Sequence, residues 1–599
     1  MINNLESKGN DIIRINRICG ESRWHMAIEK SNPFSRHIFM FAFKWNYMDS
    51  KNEKTKGYKK FSQKVNLEEF DKQLNAQHKK ESPWKKCDCK EGRIADYNEY
   101  TYYYHNVRDA IYAGNKRSHQ ADKKVDIYEY QLKKEDNPQY TIGVLVKDEA
   151  VTTGTTYTEK EYVLDVTKIE LKVYDTGVGI LSFFTENNQE CSIEVINTIN
   201  NYGRRIYPQF IEKRERDLPT QKTKETFLAN KHRLKLGKEE ADHYVETYSS
   251  DYEVEGNRIS NVIMGLLGAH FKTGKNALRT HKEEIIAVSP LIDDRMFVIC
   301  FYANQVLADT FKQIETTNQG KYYNYVQNDQ WHEYIFMEKE KSCQSRWMLE
   351  DILKRHTYER WIEKGTLYGM SYSSFVCLTD GNEFGIKNIA VHMTTIYYQM
   401  MCLVLAQKAS ILRFEDELTD ISNQSKNIPI EAVEEVYQNY LQFINGIYFR
   451  EVTAEDQGIE LYAMAQNIMR IDIDVKELKE EIGQLFQYVS LRADKETGKA
   501  INSLTYLNTL ILVPSLVTGF FGMNIFGERM RVAWSITDYK KLIVWVCIWI
   551  ISVGILPLAI IRTTFIQKAI SKLPAAFRKV FPWILAITAI SVSILLQTK

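Results

Sequence analysis

The pattern of apolar positions divides the chain near residue 500. Before that point short apolar runs alternate with polar stretches, and after it come three long apolar runs, at 501–522, 542–561 and 580–596. In the first part, "YTYYYHNV", "VDIYEY", "YTIGVLV", "KIELKVY", "VGILSFF" and "RMFVICFYA" read as strands, being short and rich in aromatic and β-branched residues. Helical spacing is seen near 190–202 and 255–268. Residues 1–385 are therefore predicted to be a mixed α/β region. From Gln457 onward apolar residues recur at Leu461, Met464, Ile468, Ile471, Val475, Leu478, Ile482, Leu485 and Val489. Their steps of three and four make a heptad seam, a pattern that favours helix association. Read as one helix from Gln457 to Gly522, this stalk is on the order of 100 Å long. The fold class expected is an α+β cytosolic region (1–385), a long α-helical stalk region (386–500) and an all-α transmembrane region (501–599).

The first run is long enough for about 30 Å of hydrocarbon, and the second, flanked by Lys540, Lys541 and Arg562, holds no charge. The third is shorter and is read as a span, with a re-entrant or interfacial helix as the second reading. After the second run come Arg562, Lys568, Lys572, Arg578 and Lys579 without an acid, whereas the loop before it is mixed. The more basic side is the cytosolic one. The chain is thus expected to be a multi-pass protein of the inner (cell) membrane with its large N-terminal region in the cytosol. Its start lacks a basic and then apolar leader, so no signal peptide is expected.

Composition adds two exclusions. Lys and Arg number 78 against 77 Asp and Glu, a net charge of +1 that argues against direct nucleic-acid binding. Nine scattered cysteines make no disulfide framework and fit a reducing compartment.

Within the first run, Thr505, Asn508, Leu512, Ser515, Gly519 and Gly522 fall on one helical stripe of mostly small and polar residues. Such a stripe either packs helix on helix or lines a wet pore, and an amide at Asn508 favours the pore. The stretch that follows, "PSLVTGFFGMN", resembles the end of the first span in CorA-type magnesium transporters, the two-transmembrane GxN family. Pro514, Gly519, Phe521, Gly522, Met523 and Asn524 carry the resemblance, which covers roughly residues 385–565. It implies a CorA-like funnel: a homopentamer in membrane lipid, with five first spans lining a pore. It implies a selectivity filter of Gly522, Met523 and Asn524, with magnesium or another divalent cation as the transported ion, held by Asn524 through its waters. Thr505, Asn508, Leu512, Ser515 and Gly519 would line the pore, with Leu512 as a hydrophobic constriction. The chain departs from the family in keeping one early loop acid, Glu528, beside Arg529 and Arg531, in its third apolar run, and in the size of its soluble region.

That size is similar in architecture to CorA-like membrane effectors of type III CRISPR systems, which implies gating by a small nucleotide messenger such as an S-adenosylmethionine–AMP conjugate. A constitutive magnesium transporter is the alternative, gated by the ion through stalk acids such as Asp472, Asp474, Glu477, Glu480 and Glu481, unless these merely form a solvated face. A membrane-anchored GHKL-like ATPase would rest on "YDTGVGILSF", which reads better as a hairpin. No catalytic constellation is found, so the chain is not expected to be an enzyme. "GAHFKTGKN" has one residue too many for a phosphate loop. "CDC" offers too few ligands for zinc, "WHEYIF" lacks a second His, and "KKESPWKKCDCKEGR" reads as a surface loop. His392 is read as a packed histidine. In "NNYGRRIYPQF", Arg204 and Arg205 are the candidate ligand-binding residues, with a solvated helix end as the plainer reading.

Overall fold

The computed structural model describes residues 34–48, 65–76, 83–87, 97–112, 127–132, 137–147, 157–189, 192–205, 229–237, 243–247, 259–273, 285–292, 295–317, 320–338, 342–423 and 430–522. Its described strands include β1 (Phe34–Met48), β2 (Gln139–Lys147), β3 (Tyr157–Tyr174), β4 (Val178–Asn187), β5 (Lys231–Lys235), β6 (His243–Thr247), β7 (Phe297–Ala303), β8 (Thr357–Tyr358), β9 (Leu367–Ser371) and β10 (Ser374–Thr379). These lie in one mixed sheet in the order β8-β9-β10-β7-β1-β4-β3-β2-β5-β6. Most neighbours are antiparallel, and β7 and β10 run parallel.

The centre of the sheet is apolar on both faces, as a strand covered on both sides must be. In β1, Ile38, Phe39, Met40, Phe41 and Phe43 are all buried, and every residue of β4 from Val178 to Thr185 is buried. One face is covered by α1 (Ile193–Gly203), capped at its start by the Ser192 hydroxyl on the Val195 N–H, and by α2 (Asp329–Phe336). The other face is crossed by α3 (Ile396–Asn423). From Ile396 to Ile411 this helix is buried on all sides, which explains a composition apolar enough for a membrane. Among the described residues 385–423 is the one stretch that passes a length-and-hydropathy test for a span, yet 78% of its apolar window is buried in the fold.

Three helices complete the chain: α4 (Ile430–Gly446), α5 (Asp456–Ile468) and α6 (Ile471–Gly522). Two compact units are distinguished, Met1–Leu485 and Phe486–Lys599, and the boundary falls inside α6.

The structure corrects four expectations. "YTYYYHNV" is not a strand: Tyr97–Tyr102 and His105–Ile111 are helical turns, and Tyr103 makes a single bridge to Thr453 and donates its hydroxyl to the Ile396 carbonyl. The "SPWKKC" region is not a loop, because Trp84–Lys86 pairs with Ile127–Leu132 and the Trp84 indole is buried on the Leu266 carbonyl at 2.9 Å. The stalk is not one helix from Gln457, since Arg470 takes a left-handed φ of 58° and separates α5 from α6. The seam residues Ile471, Val475, Leu478 and Ile482 are already buried within the single chain, so they do not wait for another copy. The hairpin reading of "YDTGVGILSF" holds, with β3 and β4 joined through Asp175–Thr176–Gly177.

Candidate functional site

The apolar run 501–522 is the C-terminal part of α6. Within it the side chains of Thr505, Asn508, Leu512 and Ser515 are exposed, and Gly519 and Gly522 continue the same three-and-four spacing. The Thr505 hydroxyl donates to the Ile501 carbonyl at 2.9 Å, so it is satisfied by its own helix. Pro514 lies inside the helix and brings no N–H, which leaves the Leu510 carbonyl without its usual intrahelical donor. Met523, Asn524, Glu528 and the runs 542–561 and 580–596 lie outside the described residues.

The base of α6 is fastened to α3. Lys408 of α3 pairs with Asp474 of α6, and both side chains are about nine-tenths buried. Asp472 accepts from the Tyr448 hydroxyl at 2.7 Å. Two of the stalk acids are thereby occupied inside the chain, while Glu477, Glu480 and Glu481 are exposed.

α3 in turn is fastened to the sheet at two places. Arg413 donates to the Thr176 carbonyl at 2.7 Å, to Asn46 Oδ1 at 3.1 Å and to Glu417 at 2.8 Å. Gly177, at φ 75°, makes room for it: a Cβ there would lie 0.9 Å from an Arg413 nitrogen. The Asp-Thr-Gly turn is thus the socket of a helix cation. The second place is a buried polar cluster. Tyr398 donates to Glu170 Oε1 at 2.8 Å, Lys172 donates to the Ile111 carbonyl at 3.2 Å, and Lys172 lies 3.8 Å from Glu170 and 3.9 Å from Glu129. Burial alone would push the Glu170 pKa up, but Lys168, Lys172 and the Tyr398 hydroxyl outweigh it and hold the carboxyl at about 2. No sequence reading singled out Lys408 or Arg413. The available signal was a cation inside an otherwise apolar helical run, which demands a buried partner.

Arg204 and Arg205 do not form a solvated helix end: both side chains are buried, at 2% and 9% exposure. The two part company. Arg205 Nε donates back to Asn201 on α1 at 3.0 Å. Arg204 faces a small, partly open hollow that Arg295, Tyr372, Ser373 and Leu405 also line. His332 of "WHEYIF" is buried in α2 and stacks on Phe336. His392 packs edge-on against Tyr397, and burial lowers its pKa. Among the described residues no group of three or more His, Cys, Asp or Glu could hold a metal ion.

Residues 416–563 match the family model described as "CorA-like Mg2+ transporter protein". No curated protein matches the chain. The matched segment begins within α3, takes in α4, α5 and α6, and runs through Gly522–Met523–Asn524 and the second apolar run. It stops short of the α/β sheet, so it lends no support to a nucleotide messenger or to a CRISPR-associated role. What it does establish is a CorA-like Mg2+ transporter domain at residues 416–563.

Proposed function

We propose that the chain is an oligomeric membrane channel or transporter for divalent cations, in which each copy contributes its first apolar run to a pore. The observation that carries this reading is the coincidence of a CorA-like domain with a Gly-Met-Asn stretch closing that run. Magnesium gives up its waters reluctantly and prefers hard oxygen ligands. A ring of Asn524 amides, five in a homopentamer, would hold the hydrated ion through those waters at a filter of Gly522, Met523 and Asn524. Thr505, Asn508, Ser515 and Gly519 would continue the polar track, Leu512 would form an apolar constriction, and Glu528 would supply the single early acid at the mouth. The large N-terminal region would set the gate, because α3 is clamped both to the sheet and to the base of α6.

The test is flux into liposomes carrying the full chain and a magnesium-sensitive dye. Wild-type protein is expected to admit magnesium, and Asn524→Ala to reduce the rate at least tenfold or change the ion preference. Absence of flux under every ligand and ion condition would sink the reading. Gating by magnesium itself is favoured by the three exposed acids Glu477, Glu480 and Glu481. Closure by internal magnesium with no other ligand present would select that form.

A further inference from the structure

The polar stripe of the first apolar run does not stop where that run begins. Within residues 486–522, the part of α6 that belongs to the second compact unit, Asp494 precedes Leu512 by about five helical turns, so the two lie on one line along the helix. Gln487 and Thr505 fall about 20° to one side of that line, and Ser490, Ile501 and Asn508 about 20–40° to the other. Gln487, Asp494, Ile501, Thr505, Asn508 and Leu512 are all exposed. The back of the helix differs. Val489, about 140° away, is buried, and Arg492 and Glu496, each about 160° away, pair with each other at 3.7 Å. Lys495 and Lys499 stand about 100° and 140° from the line. Asp494 is therefore the one charged residue that the stripe carries between Phe486 and Asn508. It pairs with no cation among the described residues. Along the axis it lies about 16 Å before Thr505, outside the apolar run and on the side of the soluble region.

We propose that Asp494 is the charge-selecting residue of the cation path, at the end of the first run nearer the soluble region. The proposal rests on the pore reading above. Where each copy turns the stripe of Thr505 and Asn508 to a shared axis, the same helical phase turns Asp494 there, and one carboxylate per copy makes a ring. Carboxylates repeated around a narrow mouth concentrate cations and repel anions. The attraction acts through water, so magnesium keeps the hydration shell that it gives up reluctantly. Asn524 would do a different job: an amide is neutral, so a ring of amides fits the shell of a hydrated ion but discriminates weakly between signs of charge. Charge is then selected at one end of the run and hydration at the other. The shoulders of the line agree with an assembly. Leu491, about 60° to one side and 70% exposed, and Leu504, about 80° to the other and 59% exposed, are apolar surface that neighbouring copies would cover. The cations at Arg492, Lys495 and Lys499 are kept away from the axis by the same phase.

The experiment uses the full chain in planar bilayers, with magnesium current read at low and at high ionic strength. Asp494→Asn is expected to lower the current by about fivefold at about 0.01 M, where a charge is felt over about 30 Å, and by less than about twofold at about 1 M, where it is felt over about 3 Å. Asp494→Glu should keep the current, and Asp494→Lys should move the reversal potential in a magnesium chloride gradient towards that of chloride. Glu496→Gln, on the back of the helix, should change neither. A second readout needs no current. Oxidation with copper phenanthroline should join Asp494→Cys copies into disulfide dimers beyond those of wild type, and Glu496→Cys copies should gain none. Wild-type current and selectivity in Asp494→Asn at low ionic strength, or cross-linking through Glu496→Cys in place of Asp494→Cys, would overturn the proposal and leave the pore standing. Cross-linking through Asp494→Cys with no current even from wild type would uphold the shared axis and refute the pore, and the selecting role with it. Neither current nor cross-linking would overturn both.

Discussion

His37 and His232 are held neutral inside the sheet, and the way each is held fixes its proton. His37 Nδ1 is 2.7 Å from Asn200 Oδ1, an acceptor, so Nδ1 carries the hydrogen and Nε2 accepts from the Ser35 hydroxyl at 3.0 Å. His232 Nε2 donates to the Tyr202 carbonyl at 3.0 Å, and its ring stacks on Tyr140. Burial lowers both pKa values from 6.5 to about 4, only partly opposed by these bonds. The unfolded chain takes up protons below about pH 6.5, whereas the folded chain resists until about pH 4. Stability is therefore unaffected above that window and falls as pH drops through it, by about 3 kcal/mol per histidine. Melting temperatures of the full chain in detergent should fall between pH 7 and pH 4.5, and His37→Gln should fall less; an equal fall would contradict the assignment. Gly177 makes a second prediction at this scale. Alanine there meets both a left-handed φ and the Arg413 guanidinium, so Gly177→Ala should cost more than about 3 kcal/mol, read as a lowered urea midpoint. A midpoint equal to that of wild type would show that Arg413 is free to leave its socket.

Among the elements, the strands were legible where aromatic and β-branched residues run together, as in β2, β4 and β7. Tyrosine clustering alone misled at Tyr100–Val107, because the backbone there is taken up by helical turns: the Tyr104 carbonyl accepts from the Val107 and Arg108 N–H groups. The break at Arg470 was illegible, since a left-handed arginine carries no compositional mark, unlike a glycine. The stripe through Thr505 and Asn508 was legible as spacing, but its neighbours in an assembly are not a property of one chain. α6 itself carries a testable weakness. Gly483 and Gly498 lie inside it, and a Cβ at either meets nothing within 4 Å. Alanine at each position should raise stability by about 1 kcal/mol through helix propensity. A lowered melting temperature would instead reveal a second copy packed closely on that glycine.

At the scale of the whole molecule, the sheet, α3 and the base of α6 form one chain of buried polar contacts: Glu170 to Tyr398, Thr176 to Arg413, and Lys408 to Asp474. None of this was readable from spacing, because the partners lie 228, 237 and 66 positions apart and meet only once the chain has folded. Removing one partner of a buried pair leaves a stranded charge and costs about 3–5 kcal/mol, whereas replacing both with apolar residues is close to neutral. Lys408→Met alone should thus lower the melting temperature clearly, and Lys408→Met with Asp474→Leu should restore most of it. In liposomes the double variant should lose any ligand control of flux while keeping the flux itself. A double variant as unstable as the single one would contradict the pairing.

The helical phase of the stripe on α6 also constrains how such a gene can change. An α-helix turns about 100° per residue. One residue inserted between Asn508 and Ser515 would swing Ser515 by more than a quarter of a circle away from the face that Thr505 and Asn508 share. Tolerated insertions and deletions in this stretch must come in threes, fours or sevens.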